Sequence, residues 1–439
     1  MMKLQQMWQD VRSSFWFLPG LIVLSAIALA AALIELEPLF GRALSEGWPR
    51  LFGASAAGAR SLLSTVASSM ITVAGVVFSI TIVVLSLTSS QYTSRVLRNF
   101  MDDRVNQTVL GAFVGIFAYC LVVLRTVRDG GGDTLFVPSL AVQFGLLLAL
   151  LGVAVLIYFI HHISKSIQAV EILAVVAAET TAAVERLFPA GVGDEDEDAS
   201  SPADDGGDDW HALPADRTGY VQSLDTDGML ALAAELGTVL RMERAIGEFV
   251  IAGTPLASMR GPATPDADIV RRLVRLYTVG TQRTVEQDAG FGVRQIVDIA
   301  LKALSPGIND TTTAVMCLDY LTAILVTLTD RRVESRCRAE DGSLRLLARG
   351  PTYAGLVGDA FDQIRQNATG NMAVLMHMLE AVALLAGRTG STPRRRVLAD
   401  HARAVITLGR RSLPALRDRR RFDALAARVV AELGADAVG

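Results

Sequence analysis

Residues 61–94 form a run of 34 positions without one charged side chain. That stretch excludes an ordinary soluble fold, because about 18 or more consecutive apolar residues read as a membrane helix. At about 1.5 Å per residue such a helix outruns the ~30 Å hydrocarbon core, so it must tilt, break or project from the bilayer. Three further charge-free runs accompany it, at residues 13–34, 105–124 and 134–160. Phe15-Trp16-Phe17 opens the first as an interfacial aromatic anchor, and His161, His162 and Lys165 close the last. The first run is too close to a full span, and too poor in an Ala-x-Ala exit, to be only a cleaved signal peptide. A hydrophobic fraction of 51% and a mean hydropathy of +0.38 agree with a membrane protein.

Four spans place both termini on one side. Lys3, Arg12, Arg95, Arg98, Arg104 and Lys165 lie on one face, and Arg42, Arg50, Arg60, Arg125 and Arg128 on the other. The small excess of basic residues puts the termini in the cytoplasm of a bacterial inner membrane. Cys120, Cys317 and Cys337 have no paired spacing, which excludes a disulfide scaffold and fits a reducing compartment.

The second run is patterned. Ser61, Thr65, Ser68, Thr72, Gly75 and Ser79 follow a 4-3-4-3-4 spacing; Ile82 interrupts it, and Ser86 and Ser89 resume it. On a helix these residues form one stripe of hydroxyls and glycine. Such a stripe packs helices closely in lipid, the commoner use. It also serves as a water-facing wall whose oxygens replace part of an ion's hydration shell. Gly111 and Gly115 of the third run form a small-x-x-x-small pair that marks a packing face. No acid or lysine lies inside the charge-free runs, which disfavours a proton-coupled carrier. Arg95 and Arg98 beyond the second run, and His161 and His162 after the fourth, read first as interfacial stops. Their functional alternative is a pore mouth or a pH-sensitive gate.

Past the membrane, residues 171–188 continue as a helix. Residues 191–216 carry ten acids and no lysine or arginine among Gly, Ser and Pro, the composition of a solvated, disordered spacer. Removing those ten from the formal charge of −4 leaves the rest of the chain at +6. Short strands are expected at 220–224, 239–242, 248–251 and 256–259, with a short helix at 228–237. Gly247-Glu248-Phe249-Val250-Ile251-Ala252-Gly253-Thr254-Pro255-Leu256 resembles the hairpin of lipoyl- and biotinyl-type barrel-sandwich folds. No lysine occurs between Lys165 and Lys302 to carry either group, so an assembly module is expected and no cofactor. Helical periodicity fills 268–281, 286–304, 311–329, 353–366, 372–385 and two arginine-rich C-terminal stretches. Between 304 and 311, Pro306 and Gly307 end one helix, and Asn309 or Asp310 caps the next. Lys302, Asn309, Asp310 and Thr311 are therefore either a helix corner or an anion-binding loop at a helix N-terminus.

Ser13-Ser14-Phe15-Trp16-Phe17-Leu18-Pro19, residues 64–79, residues 92–100, Tyr158-Phe159-Ile160-His161-His162 and residues 291–310 together resemble a bacterial family of predicted membrane proteins, domain of unknown function 2254. That resemblance implies an integral membrane protein and brings no activity with it. In the family pattern a proline commonly follows Gly-Ile-Asn-Asp, where this chain has Thr311.

The expected fold class is an integral membrane, mainly α protein. Residues 1–165 hold four transmembrane helices, 166–190 a connecting helix and 191–216 the acidic loop; a small cytoplasmic β module (217–262) and a helical domain (263–439) follow. No metalloprotease spacing of histidines, phosphate loop or nucleophile elbow occurs, so no enzymatic activity is expected. The chain reads as a homo-oligomeric channel, or else as a membrane-anchored sensor or scaffold. Its expected partners are membrane lipids, further copies of itself and inorganic ions, and no nucleic acid.

Overall fold

A computed structural model of the chain describes residues 16–47, 55–91, 104–128, 136–166, 168–188, 209–262, 264–333, 337–340 and 343–434. The chain divides into two compact units, Met1–Gln168 and Ala169–Gly439.

The first unit is built from α1 (Phe17–Gly47), α2 (Ala56–Gln91), α3 (Arg104–Thr126) and α4 (Ser139–Ser166). Glycine contacts fix their directions. A Cβ added at Gly111 would fall 2.8 Å from Ile22 and 2.9 Å from Pro19, and one at Gly115 would fall 3.4 Å from Ala26, so α1 and α3 run parallel. Gly145 faces Leu63 and Tyr119 while Gly152 faces Met70 and Ile116, so α4 runs with α2 and against α3. The result is an up-down-up-down arrangement, with Leu63, Phe113, Tyr119, Val123 and Phe159 buried at its centre. Of the three outcomes open to the long second run, a break is excluded, because α2 is continuous over 36 residues.

Polar side chains join the helices at one end. Helix α1 continues past its charge-free run, and Glu37, 8% exposed, accepts two backbone amides at the start of α4: Ser139 N at 2.8 Å and Leu140 N at 2.9 Å. These are amides that no intrahelical carbonyl can satisfy, and the positive end of the helix dipole favours a carboxylate there. Arg60 makes the opposite contact, donating from the first turns of α2 to the Val127 carbonyl (3.0 Å), just past the end of α3. Fully buried Tyr119 of α3 donates to the Ala141 carbonyl of α4 at 2.7 Å.

The second unit opens with α5 (Ala169–Leu187), close to the connecting helix expected. Its strands are β1 (Trp210–Pro214), β2 (Gly219–Leu224), β3 (Leu240–Met242), β4 (Phe249–Val250), β5 (Pro255–Arg260), β6 (Tyr277–Gly280), β7 (Cys337–Glu340) and β8 (Ser343–Leu347). One sheet has the order β1-β5-β3-β8-β7 and a smaller one β4-β2-β6. All described pairings are antiparallel except β3 with β8. Helices α6 (Thr226–Glu235) and α7 (Ala267–Leu276) accompany the sheets, and Leu213, Val221, Met229, Leu240, Leu256, Leu273 and Leu346 close a shared core.

The β region is wider than the expected 217–262. Trp210–Pro214, assigned by composition to the acidic spacer, is instead a strand that buries Leu213 against β5. Helical periodicity suggested a helix to 281, but α7 stops at Leu276, and Tyr277, buried, turns the chain into β6 beside β2. The β7–β8 hairpin also lies outside the expected module. Of the spacer itself, residues 191–208 lie outside the described residues. In the barrel-sandwich-like hairpin, Gly247 (φ 85°) and Gly253 (φ 81°) both occupy the left-handed region that glycine tolerates.

The rest is helical: α8 (Ala289–Ala303), α9 (Thr311–Thr329), α10 (Tyr353–Asn367), α11 (Met372–Arg388), α12 (Thr392–Ser412) and α13 (Leu416–Leu433). Gly292 brings α8 against α5, where an added Cβ would meet the Thr180 hydroxyl at 2.0 Å. Arg394, 1% exposed, donates to the Thr329 and Arg331 carbonyls, both at 2.9 Å, and lies over the Tyr353 ring at 4.7 Å. It thereby satisfies carbonyls at the C-terminal end of α9.

Among the described residues five helices are long and apolar enough to cross a membrane, where charge-free runs predicted four: Phe17–Leu39, Ala56–Ser86, Arg104–Thr126, Ser139–Lys165 and Thr311–Thr329. The fifth, α9, contains Asp319, which interrupts its apolar run with a charge. It packs against α5, α8 and α11 of the second unit, with Cys317, Leu318, Leu321 and Leu325 fully buried.

Replacing Glu37 with alanine strips both amides of their acceptors, and the expected loss is about 2–4 kcal/mol. In thermal unfolding of the detergent-solubilised protein, Glu37→Ala lowers Tm, and Glu37→Gln, which keeps an acceptor but no charge, falls between. A wild-type Tm in Glu37→Ala would remove this role.

Candidate functional site

Helix α2 carries two different stripes. The one turned into the first unit is Ala56, Ala59, Leu63, Ala67, Met70, Ala74, Val77 and Val84, all buried. Its alanines let α3 and α4 approach, and Leu63 and Met70 fill the gaps beside Gly145 and Gly152. The hydroxyl stripe is the other. Ser61, Thr65, Ser68, Thr72, Gly75, Ser79 and Ser86 are all exposed within the unit, and nothing lies within 4 Å of a Cβ built on Gly75. Close packing inside the chain is therefore the work of alanine, and the hydroxyls look outward.

Thr65 and Thr72 turn their protons back onto the Ser61 and Ser68 carbonyls of the same helix, each at 2.8 Å. That satisfies the donors locally and leaves the hydroxyl oxygens to act as acceptors on the outer face. From Ser61 to Ser86 the stripe rises about 37 Å, enough to cross the ~30 Å hydrocarbon core. An exposed row of oxygens of that length is costly against lipid, since hydroxyls removed from water need hydrogen-bond partners.

The remaining sequence candidates separate. Arg95 and Arg98 lie outside the described residues. His161 is exposed near the end of α4, and His162 stacks on Tyr158 with ring centroids 6.0 Å apart. In the second unit, Asp310 is the N-cap of α9. Its carboxylate accepts the Thr313 amide at 3.0 Å and the Thr313 hydroxyl at 2.6 Å. The Thr313 hydroxyl, followed by the Thr313 amide, holds the Asp310 carboxyl below the usual carboxylate range against a smaller opposing effect of burial. Asn309 supplies the turn with a positive φ of 49°. Thr311 accepts a hydrogen bond from Asn371, the N-cap of α11, at 2.8 Å, so two helix starts are tied together. The Lys302 carbonyl accepts both the amide and the hydroxyl of Ser305. The geometry is that of a helix corner, with this chain's own carboxylate already at the N-terminus of α9.

Sequence reasoning passed over three residues. Glu37 and Arg60 lie just outside charge-free runs, where flanking charge reads as an interfacial stop. Asn106, 2% exposed near the start of α3, is the third; its side-chain amide makes no hydrogen bond with any described residue. Its signal was a polar pair, Asn106-Gln107, inside an uncharged run.

Residues 12–383, which hold the hydroxyl stripe and the helix corner, match a family model described as predicted membrane protein (DUF2254). The chain belongs to that family. An uncharacterized protein of Mycobacterium tuberculosis and one of Mycobacterium bovis are each 33% identical to it over 422 residues, covering 93% of this chain and 78% of the relative. No solved structure matches. The family match takes in the whole described first unit and the helix corner, and it stops inside α11, before α12 and α13.

Asp310→Ala removes the cap of α9 and should cost about 1 kcal/mol at neutral pH. Because the folded pKa is depressed, this contribution is fully present above the unfolded value near pH ~4 and is lost as pH falls through the folded value. Thermal unfolding at neutral and strongly acidic pH tests it: the gap between wild type and variant should narrow on acidification. A gap that widens would contradict the assignment.

Proposed function

We propose that this family member is a homo-oligomeric membrane channel whose α2 helices line the conducting path. In this reading α1 to α4 are the four spans and α9 is a core helix of the second unit. Both termini and the second unit are cytoplasmic in a bacterial inner membrane, and the second unit assembles or gates the pore. The observation that carries the proposal is the outward hydroxyl stripe, long enough to cross the bilayer on a helix whose packing within the chain uses its other face. Copies arranged with this face toward a common axis would give the hydroxyls water and ions in place of lipid. Since Thr65 and Thr72 direct their protons inward, the lining offers oxygen acceptors, which suits cations over anions. The proposal contains no catalytic step and no cofactor.

Cysteine scanning tests it in a background where Cys337 is serine; Cys120 and Cys317 are buried. Cysteines at Ser68, Thr72 and Ser79 should react with charged thiol reagents from water, and the reaction should depress cation flux from liposomes. A cysteine at Ala74, on the inward face, should stay protected. Protection at all three stripe positions with unchanged flux would favour a membrane-anchored sensor or scaffold. Joint replacement Ser68→Leu with Thr72→Leu should abolish flux while the oligomer, followed by size-exclusion chromatography with light scattering, persists. Normal conduction by that double variant would eliminate the lining role of α2.

A further inference from the structure

The C-terminal helices are rich in arginine, and most of those arginines are already engaged. Arg394 and Arg395 donate to backbone carbonyls at helix ends, and Arg419 donates to the Leu413 carbonyl. Arg410 pairs with Asp423 at 2.9 Å, and Arg428 lies 4.0 Å from Glu432.

One place differs. Along one face of α12, Asp400, Arg403, Thr407, Leu408 and Arg411 recur at spacings of three and four, and Arg365 of α10 joins them around an open groove of about 480 Å³. Arg403 is engaged by Asp400. Arg365 reaches Asp362 only at 3.5 Å, through an oxygen that also lies 3.5 Å from His401 Nδ1. The Arg365 Nε is sealed from solvent and finds no acceptor among the described residues. Arg411 is exposed and has no acidic partner among the described residues. Three guanidinium groups thus line one concavity: Asp400 holds Arg403, Asp362 holds Arg365 only loosely, and the charge of Arg411 is left uncompensated, which favours entry of an anion.

We propose that this groove is a binding site for a phosphate-bearing anion, separate from the membrane path. The guanidinium fork matches two phosphate oxygens at once, where an ammonium offers only a point charge. Arg403 and Arg411 stand eight residues apart, about 12 Å along the helix, a separation that suits a ligand with more than one charged group. Leu408 supplies an apolar patch between them. The Thr407 hydroxyl donates to the Arg403 carbonyl at 2.8 Å, which leaves recognition of the anion to the guanidinium groups. Arg365 lies inside the family match, whereas all of α12, which supplies the rest of the lining, lies beyond residue 383.

Titration of inorganic pyrophosphate into the full-length protein in phosphatidylcholine nanodiscs, followed by calorimetry, tests the site. Saturable binding is expected, weakened roughly tenfold in Arg411→Gln and in Arg403→Gln, as fits loss of one charge-assisted contact. Arg396→Gln, exposed on the same helix outside the groove, should bind as wild type does. Repeating the titration in phosphatidylglycerol nanodiscs identifies the source of the phosphate. A weaker apparent affinity there, abolished by Arg411→Gln, assigns the groove to a lipid headgroup; an unchanged affinity assigns it to a soluble phosphate compound. Absence of saturable binding, or equal binding by wild type, Arg403→Gln and Arg411→Gln, would overturn the site. Arg411 makes no contact that folding needs, so its variant keeps the test meaningful even if Arg403→Gln unfolds.

Discussion

The contact on which the first unit depends is the carboxylate of Glu37 at the start of α4. A helix that begins near the edge of a bilayer exposes amides to a medium poor in acceptors, and water is scarce one turn further in. Glu37 supplies two acceptors and a charge matched to the dipole, while Arg60 serves the carbonyl end of α3 on the same side of the unit. The same economy appears in the second unit, where Arg394 holds the end of α9 and Asp310 its beginning. At each of these places a charged side chain finishes a helix.

Because neighbours tie α3 and α4 at their ends, the body of α2 is free to divide its duties. Alanine at the inward positions lets backbones approach without any hydroxyl, and the serine and threonine positions are released for the other face. A helix whose small residues all served packing would not need two stripes. The offset between Ala59-Leu63-Ala67-Met70-Ala74 and Ser61-Thr65-Ser68-Thr72-Gly75 is only a residue or two in sequence, yet on a helix it turns each row onto a separate face.

The spans were legible because a hydrocarbon environment tolerates no charge, so run length alone located α2, α3 and α4 to within a few residues. The boundaries of α9 at Thr311 and Thr329 and the strands β2, β3 and β5 were likewise readable from turn residues and periodicity. Other features were hidden by physics that is not local. Trp210–Pro214 gains its strand only by pairing with Pro255–Arg260, some forty residues on, and acidic neighbours masked its alternation. The parallel pairing of β3 with β8 joins residues more than a hundred apart, beyond the reach of any window. Of the candidate site, the stripe's existence was visible, but which way it faced depended on Gly145 and Gly152 of α4, against which Leu63 and Met70 pack. Glu37 looked like an ordinary flanking charge because its partner amides lie about a hundred residues downstream.

The enclosure of α9 has a consequence for how the chain is made. The translocation machinery reads segments in order and by hydropathy, and α9 is long and apolar enough to be read, though it is the least apolar of the five such helices among the described residues. Its neighbours α5 and α8 are synthesised before it, so a partial pocket for its apolar face exists when it emerges. Asp310 and Asp330 bracket it, and Asp319 at its middle meets His377 at 2.6 Å. An acid at the centre of the segment makes lipid a poorer solvent for α9 than for the four charge-free runs.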